Sequence, residues 1–314
     1  MYSIIVPVYN RPDEVDELLA SLSKQAYKHF EVLIIEDGST NRCEDICKKY
    51  SQLLDLQYFY KDNTGQGFSR NFGFQKAKYD YFIVFDSDVI VPPNYLQTVS
   101  ENTNTLDAFG GPDASSPDFS DLQKAINYAM TSVFTTGGIR GKKQNAGGGF
   151  QPRSFNMGFS RTVFEKTGGF AQRDMGEDIE LSIRIQKAGF RSGLIEKAFV
   201  YHKRRGNFKD FFKQIFSFGK TRIILSQKHE GLLKLVHFFP ACFTIFSMLF
   251  CCSLLFNGLI PQIIQTTYLA YFLAIFIDAS VENKSIKIGV LGVLSSFIQL
   301  NAYGMGFIKQ LIFG

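Results

Sequence analysis

The segment 235–277 contains no Asp, Glu, Lys or Arg. Its 43 residues are enough for two helices of about 20 residues each, the length that crosses the hydrocarbon core of a bilayer. Asn257-Gly258 and Pro261 lie near its middle and predict a turn between the two helices. A second uncharged segment, 288–308, is rich in Gly and Ser. It is consistent with either a third span packed through small residues or a partly inserted helix.

The segment before this uncharged run is strongly basic. Residues 191–234 contain 11 Lys or Arg against three Asp or Glu. Basic residues beside a membrane span mark its cytoplasmic side and attract anionic lipid headgroups. Five apolar residues of this segment recur at i, i+3, i+4, i+7 and i+8, the spacing that places them on one face of a helix. They are Phe208, Phe211, Phe212, Ile215 and Phe216. We predict a helix that lies on the membrane surface, with an ordinary core-packing helix as the alternative. Nucleic acid is not a predicted partner, because the basic segment leads directly into the apolar one.

The N-terminal part alternates apolar runs typical of strands with amphipathic patterns typical of helices. The strand-like runs lie at 3–8, 30–35, 56–60, 81–85 and 155–159. This alternation predicts an α/β fold, with a mostly parallel sheet and helices on both of its faces. Ligands of such sheets bind at the carboxyl ends of the strands. A glycine-rich segment, 137–149, is consistent with either a mobile loop over a site or a disordered linker.

Polar clusters follow several of these predicted strands. The run 81–85 ends in Asp86-Ser87-Asp88, and two carboxylates separated by one residue at a strand end project the same way. Such a pair repels unless a divalent cation that also binds a diphosphate lies between them. A solvated turn is the alternative for an isolated Asp-x-Asp. The other clusters are Glu36-Asp37-Gly38-Ser39-Thr40, Asn63-Thr64-Gly65 and Gly176-Glu177-Asp178.

These motifs, in this order, resemble those of family 2 glycosyltransferases with a GT-A (Rossmann-like) fold, of the membrane-anchored bacterial type. The resemblance covers roughly residues 3–205. The matching segments are Ile5–Asn10, Glu36–Thr40, Asn63–Gly65, Arg70-Asn71, Asp86–Asp88, Asn156–Gly158 and Gly176–Leu181. It divides the chain into a catalytic domain (1–205), the basic amphipathic segment (206–234) and an anchor of two to three helices (235–314).

The resemblance implies a role for each matching residue. Tyr9 is expected to stack on the nucleotide base. Asp37 is expected to accept a hydrogen bond from the ring N–H of that base, and Asp86 to contact the ribose. Arg70 is expected near the diphosphate. The remaining nucleotide-sugar contacts implied by the motifs are Pro7, Asn10 and Ser87.

The same resemblance implies the chemistry. Asp88 and His202 are expected to bind a divalent metal, Mn²⁺ or Mg²⁺, that stabilises the diphosphate leaving group. Asp178 is expected to act as the general base toward an acceptor hydroxyl. One base and one metal suffice for single displacement with inversion. The acceptor side is expected to include Asn156, Gly158 and Glu177.

The expected reaction transfers one hexosyl or N-acetylhexosaminyl group. The resemblance favours UDP, the commonest donor nucleotide of the family, with dTDP and GDP as alternatives. The chain has no Trp, so it lacks the Gln-x-x-Arg-Trp motif of processive synthases. The expected acceptor is a glycan or lipid-linked molecule near the membrane, such as a polysaccharide precursor. The alternative is a non-catalytic, nucleotide-binding membrane protein that docks a partner. No secretory pattern precedes the first strand, so we expect a multi-pass protein of the cytoplasmic (inner) membrane with its catalytic domain in the cytoplasm.

Overall fold

The computed structural model describes residues 1–136, 150–229 and 231–314. The glycine-rich segment 137–149, for which a loop or a linker was expected, lies outside these residues. Within them the chain forms two compact units, one of 1–116 with 150–203 and one of 117–136 with 204–314. The predicted catalytic domain therefore differs from the first unit, because residues 117–136 pack with the C-terminal helices.

All strands of the described residues belong to the first unit. They are β1 (Tyr2–Val8), β2 (Phe30–Asp37), β3 (Leu56–Lys61), β4 (Tyr81–Phe85), β5 (Val89–Ile90), β6 (Ala108–Gly110), β7 (Asp113–Ala114), β8 (Asn156–Ser160), β9 (Ser192–Leu194) and β10 (Val200–His202). Its helices are α1 (Pro12–Ser23), α2 (Glu44–Tyr50), α3 (Gln66–Lys76), α4 (Tyr95–Asn102), α7 (Arg161–Thr167) and α8 (Glu177–Lys187). The helices of the second unit are α5 (Asp121–Thr131), α6 (Val133–Thr136), α9 (Phe208–Lys228), α10 (Phe239–Ser253), α11 (Leu259–Glu282) and α12 (Ile286–Phe313). Short 3₁₀ helices lie at Thr103–Thr105 and Leu235–Phe238.

The large sheet has the order β3-β2-β1-β4-β8-β6-β9 in the described residues. Strands β3, β2, β1 and β4 are parallel to one another, and β6 is parallel to β9. Strand β8 lies antiparallel between β4 and β6. A small sheet has the order β5-β10-β7. The predicted α/β class with a mostly parallel sheet is therefore confirmed.

Alternate side chains of the central strands enter two cores on opposite faces of the sheet. In β1, Ile4 and Val6 pack with helices on one face, and Ile5 packs on the other. Strand β4 follows the same rule, since Ile83 belongs to the first core and Phe82 to the second. The period of two along each strand requires apolar residues at consecutive positions when both faces are covered. The expected helices on both faces are thus present.

Helix α9 contains the apolar face predicted for a helix on the membrane surface. Phe211 and Ile215 of this face are fully buried and pack in a cluster with α5 and α12. Phe212 stays partly exposed. The core-packing alternative therefore holds for the middle of the face, because α5 and α12 lie against it.

Among the described residues, three helical segments are long and apolar enough to cross a membrane. They are Leu235–Ser253, Leu259–Glu282 and Ile286–Phe313. In the most apolar 18 residues of the first, second and third segments, 22%, 11% and 56% of the residues, respectively, are buried inside the protein. The third segment differs from the other two because α9 and α12 approach closely. A Cβ added to Gly219 would collide with the carbonyl oxygen of Tyr303, and one on Gly306 with that of Phe216. Membrane anchoring is supported by all three segments.

Candidate active site

The loop after β1 is tied to the loop after β2 by Asn10. Its backbone has a positive φ of 56°, which Asn tolerates better than most residues. The side-chain oxygen accepts from the backbone N–H groups of Thr40 and Asn41, both at 2.9 Å. The backbone N–H of Asn10 donates to the Ser39 hydroxyl at 2.7 Å. Tyr9, the residue expected to stack on the base, is 53% exposed beside this tie. Asn10 thus orders the loop around it.

Asp37 closes β2 and is almost fully buried. One of its oxygens accepts from the Thr64 N–H at 2.9 Å and from Lys61 Nζ at 2.5 Å. The other accepts from the Gly65 N–H at 2.8 Å. Burial alone would raise the pKa of Asp37, but these hydrogen bonds and one from Ser69 outweigh it and lower the pKa. The carboxylate joins the end of β2 to the Asn63-Thr64-Gly65 cluster and retains acceptor capacity for a nucleotide.

Asp86 and Asp88 follow β4, and His202 ends β10. The antiparallel register of β10 and β5 pairs His202 with Val89, the neighbour of Asp88. His202 Nε2 therefore lies 3.1 Å from Asp88 Oδ1. The ring of Phe155 stacks on the imidazole with 4.8 Å between centroids. Asp86, Asp88 and His202 each bring a possible ligand atom to within 4.8 Å of the others.

The composition of this cluster fits a divalent cation. Carboxylate oxygens are preferred by Mg²⁺ and Mn²⁺, and an imidazole nitrogen is acceptable to Mn²⁺ and other transition metals. The Nδ1 atom of His202 is buried and has no hydrogen-bond partner in the part of the chain that the structure describes. Asp86, expected only at the ribose, is close enough to join Asp88 and His202 as a ligand.

Arg70 on α3 is fully buried, although the resemblance implied a contact with the diphosphate. Nη2 donates to Asp86 Oδ1 at 2.6 Å, and Nη1 donates to Glu177 Oε1 at 2.8 Å. Glu177 also accepts from Gln66 at 2.9 Å and from the Ser154 hydroxyl at 3.3 Å. Burial alone would lower the pKa of Arg70, but Asp86 and Glu177 raise it, so the guanidinium is charged. Arg70 and Glu177 therefore connect the candidate cation site to the start of α8.

Asp178, the expected base, lies in the first turn of α8. The helix begins after Gly176, whose φ of 81° favours glycine. Asp178 Oδ2 lies 3.0 Å from Arg153 Nε, and its side chain is 13% exposed. Its neighbour Glu177 is buried and binds Arg70. Asp178 thus keeps limited access to solvent.

The expected acceptor-side residues Asn156 and Gly158 lie in the interior strand β8. The Asn156 amide accepts from the Tyr95 hydroxyl at 2.5 Å and donates to the Ala198 carbonyl at 2.9 Å. A Cβ on Gly158 would collide with the ring of Phe109. Together with the buried Glu177, these residues support the site from within and do not line an open acceptor surface. Pro7 is likewise within β1.

Two residues near the cation cluster carried no motif signal. Arg11 Nη1 binds both carboxylate oxygens of Glu14, at 2.7 and 2.8 Å, and lies 3.8 Å from Asp88 Oδ2. Glu14 also accepts from the Ser87 hydroxyl at 3.0 Å. An Arg and a Glu three positions apart at the start of a helix are common, so their sequence does not reveal the contact with Asp88.

The fold and this geometry define an α/β protein with a candidate ligand site at the carboxyl ends of parallel strands and a candidate divalent-cation cluster beside it. Residues 3–216 match glycosyl transferase family 2, and the chain belongs to that family. The predicted family and GT-A fold are therefore confirmed.

Curated relatives match parts of the chain. An uncharacterized glycosyltransferase of Rickettsia typhi is 35% identical over 107 residues, 34% of this chain and 33% of that protein. Chondroitin synthase of Escherichia coli is 26% identical over 235 residues, 64% of this chain and 34% of that protein. The chain spans about a third of the length of these relatives.

A solved structure is similar over most of the chain. The mannosyltransferase from Pyrobaculum calidifontis in complex with GDP-Man and Mn²⁺ has a TM-score of 0.65 at 16% identity. The match covers 94% of this chain and 86% of that one. At this identity the similarity is one of fold.

Proposed function

We propose that the protein is an inverting, metal-dependent glycosyltransferase. It transfers one hexosyl or N-acetylhexosaminyl group from a UDP-sugar to a hydroxyl of a membrane-near acceptor, a lipid-linked molecule or a polysaccharide precursor. The observation that carries the proposal is the cluster of Asp86, Asp88 and His202 at the carboxyl edge of the sheet. The mannosyltransferase of similar fold was solved with a nucleotide-sugar and Mn²⁺.

The residues of the cluster would hold Mn²⁺ or Mg²⁺ between the protein and the donor diphosphate. The ion supplies a Lewis acid that stabilises the negative charge of the leaving diphosphate. Tyr9 is exposed at the end of β1 and offers its ring to the nucleotide base. Asp37 keeps the Thr64-Gly65 backbone in place and accepts from the base N–H. These residues bind and orient the donor.

The different environments of Asp178 and Glu177 support a mechanism that inverts the configuration at the sugar carbon. Asp178 Oδ1 accepts from the Ile179 N–H at 2.7 Å, and Oδ2 accepts from the Ser154 N–H at 3.4 Å and pairs with Arg153. Arg153 is exposed, and an acceptor hydroxyl can displace it from Oδ2. Asp178 then takes the proton of the acceptor hydroxyl as that oxygen attacks the sugar carbon. Glu177 binds Arg70, Gln66 and Ser154 and is not free to act as a nucleophile. A retaining mechanism would require such a second carboxylate.

The proposal is tested with the purified full chain and a panel of UDP-, GDP- and dTDP-sugars. We expect Mn²⁺-stimulated release of the nucleoside diphosphate from a UDP-sugar. A non-catalytic, partner-docking protein binds the nucleotide without releasing diphosphate from any donor, and that result would overturn the proposal. A preference for GDP- or dTDP-sugars would correct the nucleotide alone.

Asp88→Ala is expected to abolish the metal-dependent part of nucleoside diphosphate binding, because it removes a carboxylate from the three-residue cluster. Asp37→Ala is expected to weaken binding equally with and without metal, since Asp37 orders the nucleotide loop. Calorimetric titration of UDP with Mn²⁺ and with EDTA measures both effects. Equal metal dependence in the wild type and Asp88→Ala would remove Asp88 from the cation site.

We propose that the anchor places the protein in the cytoplasmic membrane, with the catalytic part in the cytoplasm. The basic residues of 191–234 precede the first apolar segment and favour this orientation. The turn between the first two segments then lies outside the cytoplasm, and the turn between the second and third lies inside.

The orientation predicts the accessibility of two turns. In a variant with Cys242, Cys251 and Cys252 changed to Ser, Asn257→Cys is expected to react with an impermeant maleimide on intact spheroplasts. Asn283→Cys is expected to react only after lysis. The reverse pattern would invert the topology, and equal labelling of both would contradict a span between them.

A further inference from the structure

Arg11 is the exposed arginine beside the candidate cation cluster. It follows the Tyr9-Asn10 pair, and its Nη1 lies 3.8 Å from Asp88 Oδ2. The side chain is 37% exposed, so the guanidinium is open to solvent. Burial alone would lower the pKa of Arg11, but Glu14, Asp88 and Asp86 raise it. A charged guanidinium therefore faces the edge of the cluster.

Arg70 has the opposite environment. Its side chain is 0% exposed, and two of its nitrogens are held by Asp86 and Glu177. To contact a diphosphate, Arg70 would have to leave Glu177, whose side chain is 3% exposed, buried without a counterion, which is costly. The arginine that the sequence motif suggested for the diphosphate is therefore an internal support.

We propose that Arg11 is the arginine that contacts the diphosphate of the donor. This inference rests on the proposed function. A diphosphate held through a cation at Asp86, Asp88 and His202 would lie beside this cluster. Arg11 Nη1 lies at the edge of the same cluster, 3.8 Å from Asp88 Oδ2. A guanidinium matches phosphate geometry and forms charge-assisted hydrogen bonds with it.

The contact with Glu14 does not prevent this role. Both Glu14 oxygens bind the same nitrogen, Nη1 of Arg11. The pair is partly exposed and spans i to i+3 on the helix start, so it contributes little to stability. In the part of the chain that the structure describes, Nε and Nη2 of Arg11 make no hydrogen bond, so both nitrogens can donate to a ligand. If Arg11 acts only as a clamp on Glu14, changing either partner would have the same effect.

The experiment uses the purified full chain in detergent and compares its affinities for UDP and uridine, each with Mn²⁺ and with EDTA. Arg11→Gln is expected to lower the UDP affinity about tenfold under both conditions, the effect of losing one charge-assisted hydrogen bond that is partly exposed. Uridine affinity is expected to stay within about twofold, because uridine has no phosphate.

Two matched controls separate the phosphate contact from a structural effect. Glu14→Gln keeps Arg11 and is expected to preserve the ratio of UDP to uridine affinity. Arg191→Gln removes an exposed arginine from the same unit and is expected to leave both affinities unchanged.

Parallel losses of UDP and uridine affinity in Arg11→Gln would overturn the inference, and so would equal losses of UDP affinity in Arg11→Gln and Glu14→Gln. An unchanged UDP affinity in Arg11→Gln would overturn it as well. In each of these cases the wild type still binds UDP, and the proposed function stands. If the wild type binds none of UDP, GDP or dTDP, the proposed function fails together with the inference.

Discussion

Asp178→Asn is expected to lower turnover by about 10²–10⁴-fold, the scale of general-base loss, while donor affinity stays within a few-fold. The amide cannot accept the hydroxyl proton, but it keeps the size of the side chain in the first turn of α8. Its hydrogen bond to Arg153 is weaker, which does not affect donor contacts at the other strand ends. Steady-state kinetics and UDP titration on the same preparation measure the two quantities.

Asp174→Asn is the matched control for this substitution. Asp174 is a more exposed carboxylate four residues earlier and pairs with Arg173 at 3.2 Å. It is expected to retain turnover within about twofold, because the asparagine amide oxygen can still accept from the Gln66 N–H, which lies 3.3 Å from Asp174 Oδ1. Near-native turnover in Asp178→Asn would remove Asp178 from the base role. A comparable loss in Asp174→Asn would indicate a general disturbance of the segment.

Arg70→Met is expected to destabilise the protein by about 3–5 kcal/mol, the cost of breaking a buried ion pair from one side. Methionine fills a similar volume but leaves Glu177 without its counterion. Burial raises the pKa of Glu177, as does neighbouring Asp178, while Arg70 lowers it. Loss of Arg70 thus favours a protonated Glu177 and loosens the start of α8. Chemical denaturation of the full chain in detergent, followed by circular dichroism, measures the change.

The double variant Arg70→Met/Glu177→Gln tests the cause of this loss. It removes both charges, and it is expected to recover at least half of the stability that Arg70→Met loses. Arg191→Met, at an exposed position, is expected to change stability by less than about 0.5 kcal/mol. A loss below about 1 kcal/mol in Arg70→Met would contradict the role of Arg70 as an internal support, and so would a double variant as unstable as the single one.

Much of the fold could be predicted from the sequence because its signals are local. Strand β4 was expected at 81–85 and is found at Tyr81–Phe85. Strand β2 was expected at 30–35 and is found at Phe30–Asp37. Continuous apolar runs mark strands covered on both faces, and polar clusters mark their ends. The family and its fold follow from the order of those clusters along the chain.

The sequence was less informative about which side chains are accessible. Arg70 and Arg11 are both arginines near motifs, but one is fully buried and the other is open to solvent. In the same way, the spacing of Phe211 and Ile215 indicates an apolar face and does not say whether lipid or protein covers it. Burial depends on elements distant in sequence, such as α12 against α9.

The sequence by itself determined five strands of the large sheet, the apolar C-terminal segments and the residue types that a nucleotide and a cation require. The family resemblance implied that Asp88 and His202 share a metal, but only the tertiary structure decided how such distant residues meet. His202 lies more than a hundred positions after Asp88, and the two touch because β10 pairs with β5 in a register that sets His202 opposite Val89. Such pairing depends on hydrogen bonds and packing across the whole sheet, and these long-range contacts leave no signal in the local pattern of either segment.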